Sequence, residues 1–524
     1  MMSAPSTTSR INLDRCTALV VLALLALGLA LRLIGLGREG LWIDEIFSAS
    51  YTNLSFFDTI VACLRFDLHP PLYYLQLDAW SAFGHGDTWL MLNSVGWSMA
   101  TLVLVYLGAT RYYGALSGKL SLAFCAVMGS EVYFANELRM YALFAFLMTL
   151  SWILANRVLA DYRLRTAIPL ILVLVAIGAL HSFGVVAVAG ALLYLFPPGI
   201  RQEFRRRFPV WVAVSAIAGV TLLPWMISAF VRHPGHLEPL TAATVVYTIS
   251  GWLLGYRALV LPEWLQIGVT LLLALSVVIA IRLEPTLRRT ILCYLLWPLA
   301  VAAVICLLGK PVWLFRSFSF CAPLLSICLG TLFSRLISAG SAPRLMQRTA
   351  IAIAVAAIGG AAALASVTAT TPWKTQYREA AAYLRENVQT GDIVYIPNQV
   401  TYWGIARYLV GPRWGSLLEV QDPVDPDKSR LWPGIYRRLG PRILERLHLI
   451  PRTRRTDGFR APLYIGWSPL PEAKNARVIW LVGSVHPPFE EFHLSEVQLC
   501  RYEKVRTADF TELRVFRVTC TSST

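Results

Sequence analysis

Two acidic side chains stand next to each other in Leu41-Trp42-Ile43-Asp44-Glu45, just beyond the first long apolar run of the chain. A carboxylate pair at a membrane edge is costly to desolvate, and such a group can accept the proton of an attacking hydroxyl or hold a cation. The plain alternative is a solvated pair in a loop. In His69-Pro70-Pro71-Leu72-Tyr73-Tyr74, an imidazole precedes two prolines that favour a helix start and aromatics that suit an interfacial belt. Glu137-Leu138-Arg139-Met140-Tyr141 places Arg139, whose fork of donors suits a phosphate, at the end of an apolar run. Snorkelling to the interface is its bland reading. His181-Ser182-Phe183 is a tight turn between two apolar runs, and Lys310 and Arg316 flank Pro311-Val312-Trp313-Leu314-Phe315 before another. Each signal is weak alone. Gathered on one face of a helical bundle, these side chains make a site where an anionic lipid head group is held beside a base.

The elements that must position them are set by the bilayer. Of the 524 residues 56% are hydrophobic and 15% charged, against about 25% charged in an ordinary soluble domain. Apolar runs of the roughly 17 to 25 residues a crossing helix needs recur up to Val367 and stop from Pro372 onward. We read eleven spans, near 17–36, 88–110, 115–130, 138–157, 166–181, 183–198, 209–230, 262–282, 288–308, 316–336 and 347–369. The first is expected to be a retained signal anchor, because it is longer than a signal core and carries Arg32.

The net charge of +16 sits in short gaps between runs, at Arg157/Arg163/Arg165, Arg201/Arg205/Arg206/Arg207, Arg282/Arg288/Arg289 and Arg335/Arg344/Arg348. That is the positive-inside pattern and argues against a nucleic-acid partner. It puts the N-terminus in the cytoplasm and the segment 37–87, with seven acidic and two basic residues, outside. Residues 70–83 are too short to cross and read as a helix on the outer membrane surface. The odd count also places residues 372–524 outside.

We therefore expect a membrane domain over 1–371 and an extracytoplasmic α/β domain over 372–524. In the latter, 373–387 reads as an amphipathic helix, 392–397 and 478–483 as strands, and 497–519 as a hairpin. None of the nine cysteines has CxxC or Cys/His spacing for a metal, and only Cys500 and Cys520, both in the terminal part, are candidates to pair.

At these residues the sequence resembles a known family. The order Trp42-Ile43-Asp44-Glu45, His69 to Tyr74, Glu137 to Leu143 and His181 to Gly184 is similar to the GT-C glycosyltransferases of the dolichyl-phosphate-mannose protein mannosyltransferase type (glycosyltransferase family 39), to which the bacterial aminoarabinose transferase is related. The likeness extends more loosely to Phe315–Leu325 and to Trp373–Ile396. It implies a polytopic bacterial inner-membrane enzyme that moves a sugar from a polyprenyl-phosphate donor, with inversion, to a protein, lipid or glycan hydroxyl. No cofactor is required beyond, at most, a weakly bound divalent metal.

The resemblance makes Asp44 the base, with Glu45 supporting it, and gives the leaving phosphate to Arg139, Arg316 and Lys310. His69, Tyr73, Glu137, Tyr141 and His181 line the pocket. Ile46 stands where a small residue commonly follows the acidic pair, and Asn136 where another small or polar residue commonly precedes Glu137, and both leave the acceptor open. Two other readings stay open: a non-catalytic protein that binds or translocates lipid-linked sugars, and an assembly or sensor protein whose outer domain binds glycan.

Overall fold

A long apolar run can hide its backbone polar groups in hydrocarbon only by forming a helix, and all eleven runs are helical in the computed structural model. It describes residues 14–411 except 66, 197–200, 232–238, 257–260, 339–343, 371–372 and 397–398, and then 463–465, 478–484, 501–510 and 512–521. In chain order the helices are α1 (Arg15–Leu33), α2 (Ile43–Tyr51), α3 (Phe56–Arg65), α4 (Leu72–Ser81), α5 (Asp87–Tyr113), α6 (Ala115–Val127), α7 (Gly129–Ala135), α8 (Tyr141–Ala160), α9 (Leu164–Gly178) and α10 (Gly184–Leu195). They continue with α11 (Arg201–Val231), α12 (Ala242–Leu254), α13 (Glu263–Leu283), α14 (Leu287–Thr290), α15 (Trp297–Leu307), α16 (Cys321–Ser338), α17 (Arg344–Thr370), α18 (Tyr377–Asn387) and α19 (Gln399–Val410). Helices α14 and α15 are joined through π-helical Ile291–Leu296.

The chain divides into two compact units. The first comprises Met1–Leu36, Cys63–Tyr73 and Met91–Thr371, and the second Gly37–Ala62, Tyr74–Leu90 and Pro372–Thr524. The change of composition at 371/372 coincides with the last segment of the second unit. That unit also takes in most of the acidic segment 37–87.

Among the described residues seven helices are long and apolar enough to cross a membrane, and α6 with α7, bent by 58°, make an eighth. Helices α9 and α10 are shorter: twelve residues in α10 rise only about 18 Å. Neighbours complete α10. Tyr162 Oη donates to Leu195 O at 2.7 Å, Trp211 Nε1 to Leu192 O at 2.9 Å, Trp297 Nε1 to Val186 O at 3.1 Å, and Arg289 to Phe196 O. Carbonyls near the end of α10 are thus satisfied by protein.

The sequence reading missed α12, whose thirteen residues fall below the length of a span. Trp313 Nε1 donates to Thr248 Oγ1 at 2.9 Å and Ser130 Oγ to Trp252 O at 2.9 Å, which ties α12 to α7 and to the loop before α16. At its end Gly255, at φ +84°, lies so close to Gly129 that a Cβ on Gly129 would stand 2.4 Å from the Gly255 nitrogen.

The α6–α7 break is held by Arg32. Its fully buried guanidinium donates to Ala126 O at 3.0 Å, Gly28 O at 2.9 Å and Ser98 Oγ at 2.8 Å. These bonds give carbonyls left open where the helix stops a partner inside the bundle.

In the second unit, β1 (Ile393–Ile396), β2 (Leu463–Ile465), β3 (Val478–Ser484), β4 (Arg501–Phe510) and β5 (Leu513–Thr521) form a sheet of order β2-β1-β3-β5-β4. Strand β1 is parallel to β2 and β3, and β5 is antiparallel to β3 and β4. The expected helix, two strands and hairpin are all present, and α19 and β2 are additions. Cys500 lies outside the described residues, as does the side chain of Cys520.

Helices α6 and α16 meet through Gly330, where an added Cβ would come within 2.3 Å of the Ser121 backbone nitrogen. Small residues at such contacts are what allow membrane helices to approach. Gly330→Ala is expected to cost about 1–3 kcal/mol through overpacking and to lower the thermal unfolding midpoint in detergent. Gly360→Ala, which meets nothing within 4 Å, leaves the midpoint unchanged or raises it.

Candidate active site

In the first unit, the turn before α4 and the turn between α9 and α10 are joined by Leu72 N–H, which donates to Ala179 O at 3.0 Å. This brings the His69 and His181 rings to a centroid distance of 4.5 Å. His181 also stacks on Phe144 of α8 at 5.2 Å, with Tyr141 6.0 Å away. The Phe183 N–H donates to His181 Nδ1 at 2.9 Å, which leaves the ring proton on Nε2. His69 Nδ1 is buried and finds no hydrogen-bond partner among the described residues.

Burial first, and then the Arg139 and Arg316 guanidiniums, hold His69 well below the usual imidazole range. Burial, His69 and the same two arginines do so for His181. Arg139 is itself buried, on the turn that leaves α7, where its N–H donates to Glu137 O at 2.8 Å and Ser94 Oγ donates to the same carbonyl at 2.7 Å. Glu137 is also buried and acts electrostatically on Tyr247 of α12. Two guanidiniums acting on two uncharged imidazoles are a chemistry that suits an anion, and the His181 Nε2–H can donate to an oxyanion without first being protonated. Tyr73 is fully buried in the same unit, and Lys310 follows α15 with its N–H on Ile305 O at 3.2 Å.

The second unit carries the acidic pair in the first turn of α2, at the positive end of its dipole. The two carboxylates are placed differently. Asp44 is half-buried. Glu45 is fully buried and caps its own helix, Trp42 N–H donating to Oε2 at 3.1 Å. The Lys374 ammonium sits 2.7 Å from Glu45 Oε1 and 2.8 Å from Oε2, with 6% of its side chain exposed. Removing one partner of so buried a pair typically costs about 3–5 kcal/mol, because the other charge is left uncompensated.

Further bonds hold the segment on either side. Glu39 Oε1 accepts from Trp373 N–H at 2.6 Å and Lys374 N–H at 2.8 Å, and the Trp42 and Trp373 rings meet edge to face at 5.6 Å. Tyr408 Oη accepts from Leu41 N–H at 2.6 Å and donates to Asp87 Oδ2 at 2.6 Å, and Arg407 pairs with Asp87 Oδ1 at 2.6 Å. Burial, then the Asp87 carboxylate, pushes the Tyr408 phenol up and keeps it a donor.

The structure thus brings His69, Glu137, Arg139, Tyr141, His181 and Arg316 into the first unit and Asp44 and Glu45 into the second. Lys374, the cation on Glu45, is a residue that the sequence reading did not single out. Its only signal was its place in the loosely matching stretch that begins at Trp373. Among the described residues no group of three or more His, Cys, Asp or Glu is placed to hold a metal.

No protein-family model matches the chain, and no curated protein does. Solved structures do. ArnT from Cupriavidus metallidurans in the apo state superposes with a TM-score of 0.54 at 14% identity, over 96% of this chain and 98% of that one. The same protein bound to undecaprenyl phosphate gives 0.50 over the same shares at 14% identity. The chain has the GT-C fold. An Archaeoglobus fulgidus oligosaccharyltransferase in complex with Zn and sulfate is also similar, at 13% identity and a TM-score of 0.47 over 94% of this chain and 73% of that one. With this GT-C fold and its apolar helices, the chain is a polytopic membrane protein.

The two depressed imidazoles carry a pH signature. An unfolded histidine titrates near pH 6.5, about the unperturbed value, so below that pH the unfolded chain binds protons that folded His69 and His181 refuse. Their contribution to stability is present above about pH 6.5 and is lost as pH falls below it. The unfolding midpoint of the detergent-solubilised chain should drop between pH 7.5 and 5, and His181→Asn should flatten that drop. An equally steep drop in the variant contradicts the assignment.

Proposed function

We propose that this GT-C chain is a glycosyltransferase that takes a sugar from a polyprenyl-phosphate carrier and passes it to an acceptor hydroxyl outside the bacterial inner membrane. The observation that carries this reading is the cluster of the first unit in which the His69 and His181 rings lie 4.5 Å apart and the Arg139 and Arg316 charges act on both. Such a cluster suits a phosphate that gains charge as its bond to the sugar breaks. The undecaprenyl phosphate held by the similarly folded ArnT supports the same class of lipid.

In the reaction, the acceptor oxygen attacks the anomeric carbon from the face opposite the phosphate, the anomeric carbon–oxygen bond breaks with inversion, and the polyprenyl phosphate leaves with the bonding pair. Arg139, Arg316 and Lys310 neutralise that phosphate, and Asp44 takes the hydroxyl proton. Glu45 supports the base. No metal is given a role. In this reading the N-terminus is cytoplasmic and residues 372–524 are extracytoplasmic, an orientation that the placement of the arginine clusters supports.

The test is transfer of label from radiolabelled hexose and pentose undecaprenyl phosphates in membranes holding the wild type or Asp44→Asn, with lipid, protein and glycan fractions counted separately. We expect transfer by the wild type and at least about a hundredfold loss in the variant, the scale of a missing general base. The labelled fraction then names the acceptor. Binding of donor without transfer by the wild type would instead identify a carrier protein that does no chemistry.

A further inference from the structure

Glu45 and Lys374 are 329 positions apart in sequence, yet the ammonium lies within 2.8 Å of both carboxylate oxygens and the carboxylate has no exposed surface. Glu45 is also the third residue of α2, where it accepts from the Trp42 N–H at 3.1 Å. The group that the lysine neutralises is therefore the one that fixes the first turn of the helix bearing Asp44. The backbone at the other end of the contact is fixed as well, because Glu39 Oε1 accepts from both Trp373 N–H and Lys374 N–H.

We propose that Lys374 is a positioning residue for the acidic pair: acting through Glu45, it cancels the buried charge next to Asp44 and locks the turn from which Asp44 is presented. The sequence 372–524 thereby supplies part of the catalytic apparatus, besides any part it plays toward the acceptor. The consequence for the rate rests on the reading of Asp44 as base, whereas the charge relation itself does not.

Among the described residues, the ionisable groups around this turn and the segment before it include Arg378, which donates to Gly37 O and Arg38 O, and Tyr408, bonded to Leu41 N–H. Lys374 and Glu39 act as described. Tyr377, the first residue of α18, feels both Asp44 and Glu512, and Glu512 accepts from Thr375 Oγ1 at 2.6 Å. From α19, Trp403 packs edge to face on Phe47 at 4.7 Å, and the Arg407 charge is spent on Asp87. Of these, Lys374 is the cation in contact with Glu45. Without it the turn holds a buried carboxylate beside a second one, and a like charge at that range makes a carboxyl harder to ionise.

The experiment reads Asp44 directly on the full chain in detergent. Carbodiimide-driven amine coupling at Asp44, which needs the protonated acid, is followed by peptide mass spectrometry across pH 3 to 8. Lys374→Met should move the midpoint of coupling up by about one pH unit, the usual scale for a like-charge neighbour. The double variant Glu45→Gln/Lys374→Met, in which neither charge remains, should return it to the wild-type value.

Glu45→Gln keeps the lysine and should move the midpoint down. It provides the second handle if Lys374→Met does not fold. A midpoint that stays put in whichever single variants fold overturns the proposal. So does a double variant that remains displaced, since Lys374 would then not act through Glu45. Because no sugar transfer is measured, these outcomes stand apart from those that test the transferase reading. In the transfer assay, Lys374→Met should shift the acid limb of the rate profile by the same amount, which a mere loss of folded protein would not do.

Discussion

The arrangement of the second unit hangs on one ion pair, Glu45 with Lys374, buried at both ends. A buried charge is tolerated only when a partner and hydrogen bonds replace the water it has lost, and here each oxygen of Glu45 receives the ammonium while one also receives a backbone N–H. The chain before α2 and the chain before α18 must run side by side for that to happen. Glu39, the Trp42–Trp373 contact and the Asp87–Tyr408–Leu41 relay are the accessory ties that keep them so. The adjacent acidic residues consequently divide their labour: Glu45 is spent on structure, and Asp44, half-buried, carries the exposed carboxylate surface of the pair.

The first unit meets the converse problem, which is to gather positive charge without burying a load it cannot sustain. It does so with two arginines and two histidines kept uncharged, so that only part of the basic side-chain set is ionised. Burial alone favours neutral imidazoles, and the guanidiniums reinforce it. In the same unit the Arg32 guanidinium is covered by carbonyls and a hydroxyl at the α6–α7 break, upstream in sequence of the turn that bears Arg139. On the proposed function, a head group at the arginine–histidine cluster would not have to compete with protonation of the histidines.

Legibility in the sequence followed physical range. Crossing helices were plain because hydrocarbon imposes a length and a composition on each of them separately, and the terminal hairpin was plain because its strands are neighbours. Helix α12 was not, since Ala242–Leu254 is too short to be read as a span and owes its place to contacts such as Trp313–Thr248 and Gly129–Gly255. Asp44, Glu45, Arg139 and the two histidines stood out by type and position. The unequal burial of Asp44 and Glu45 did not, because it depends on Lys374 across a sequence separation of 329 that no local pattern encodes. Arg32 reads in the sequence only as a polar interruption near the end of the first run, whereas one of its carbonyl partners, Ala126 O, is supplied by α6.

The central claim is that the arginines of the first unit hold a lipid-linked phosphate while Asp44 serves chemistry alone. Native mass spectrometry of the full chain titrated with undecaprenyl phosphate tests it most directly, comparing the wild type with Arg139→Met, Arg316→Met and Asp44→Asn. The account predicts that each arginine variant binds the lipid at least tenfold more weakly and that Asp44→Asn binds it as the wild type does. Undiminished binding in both arginine variants would contradict it.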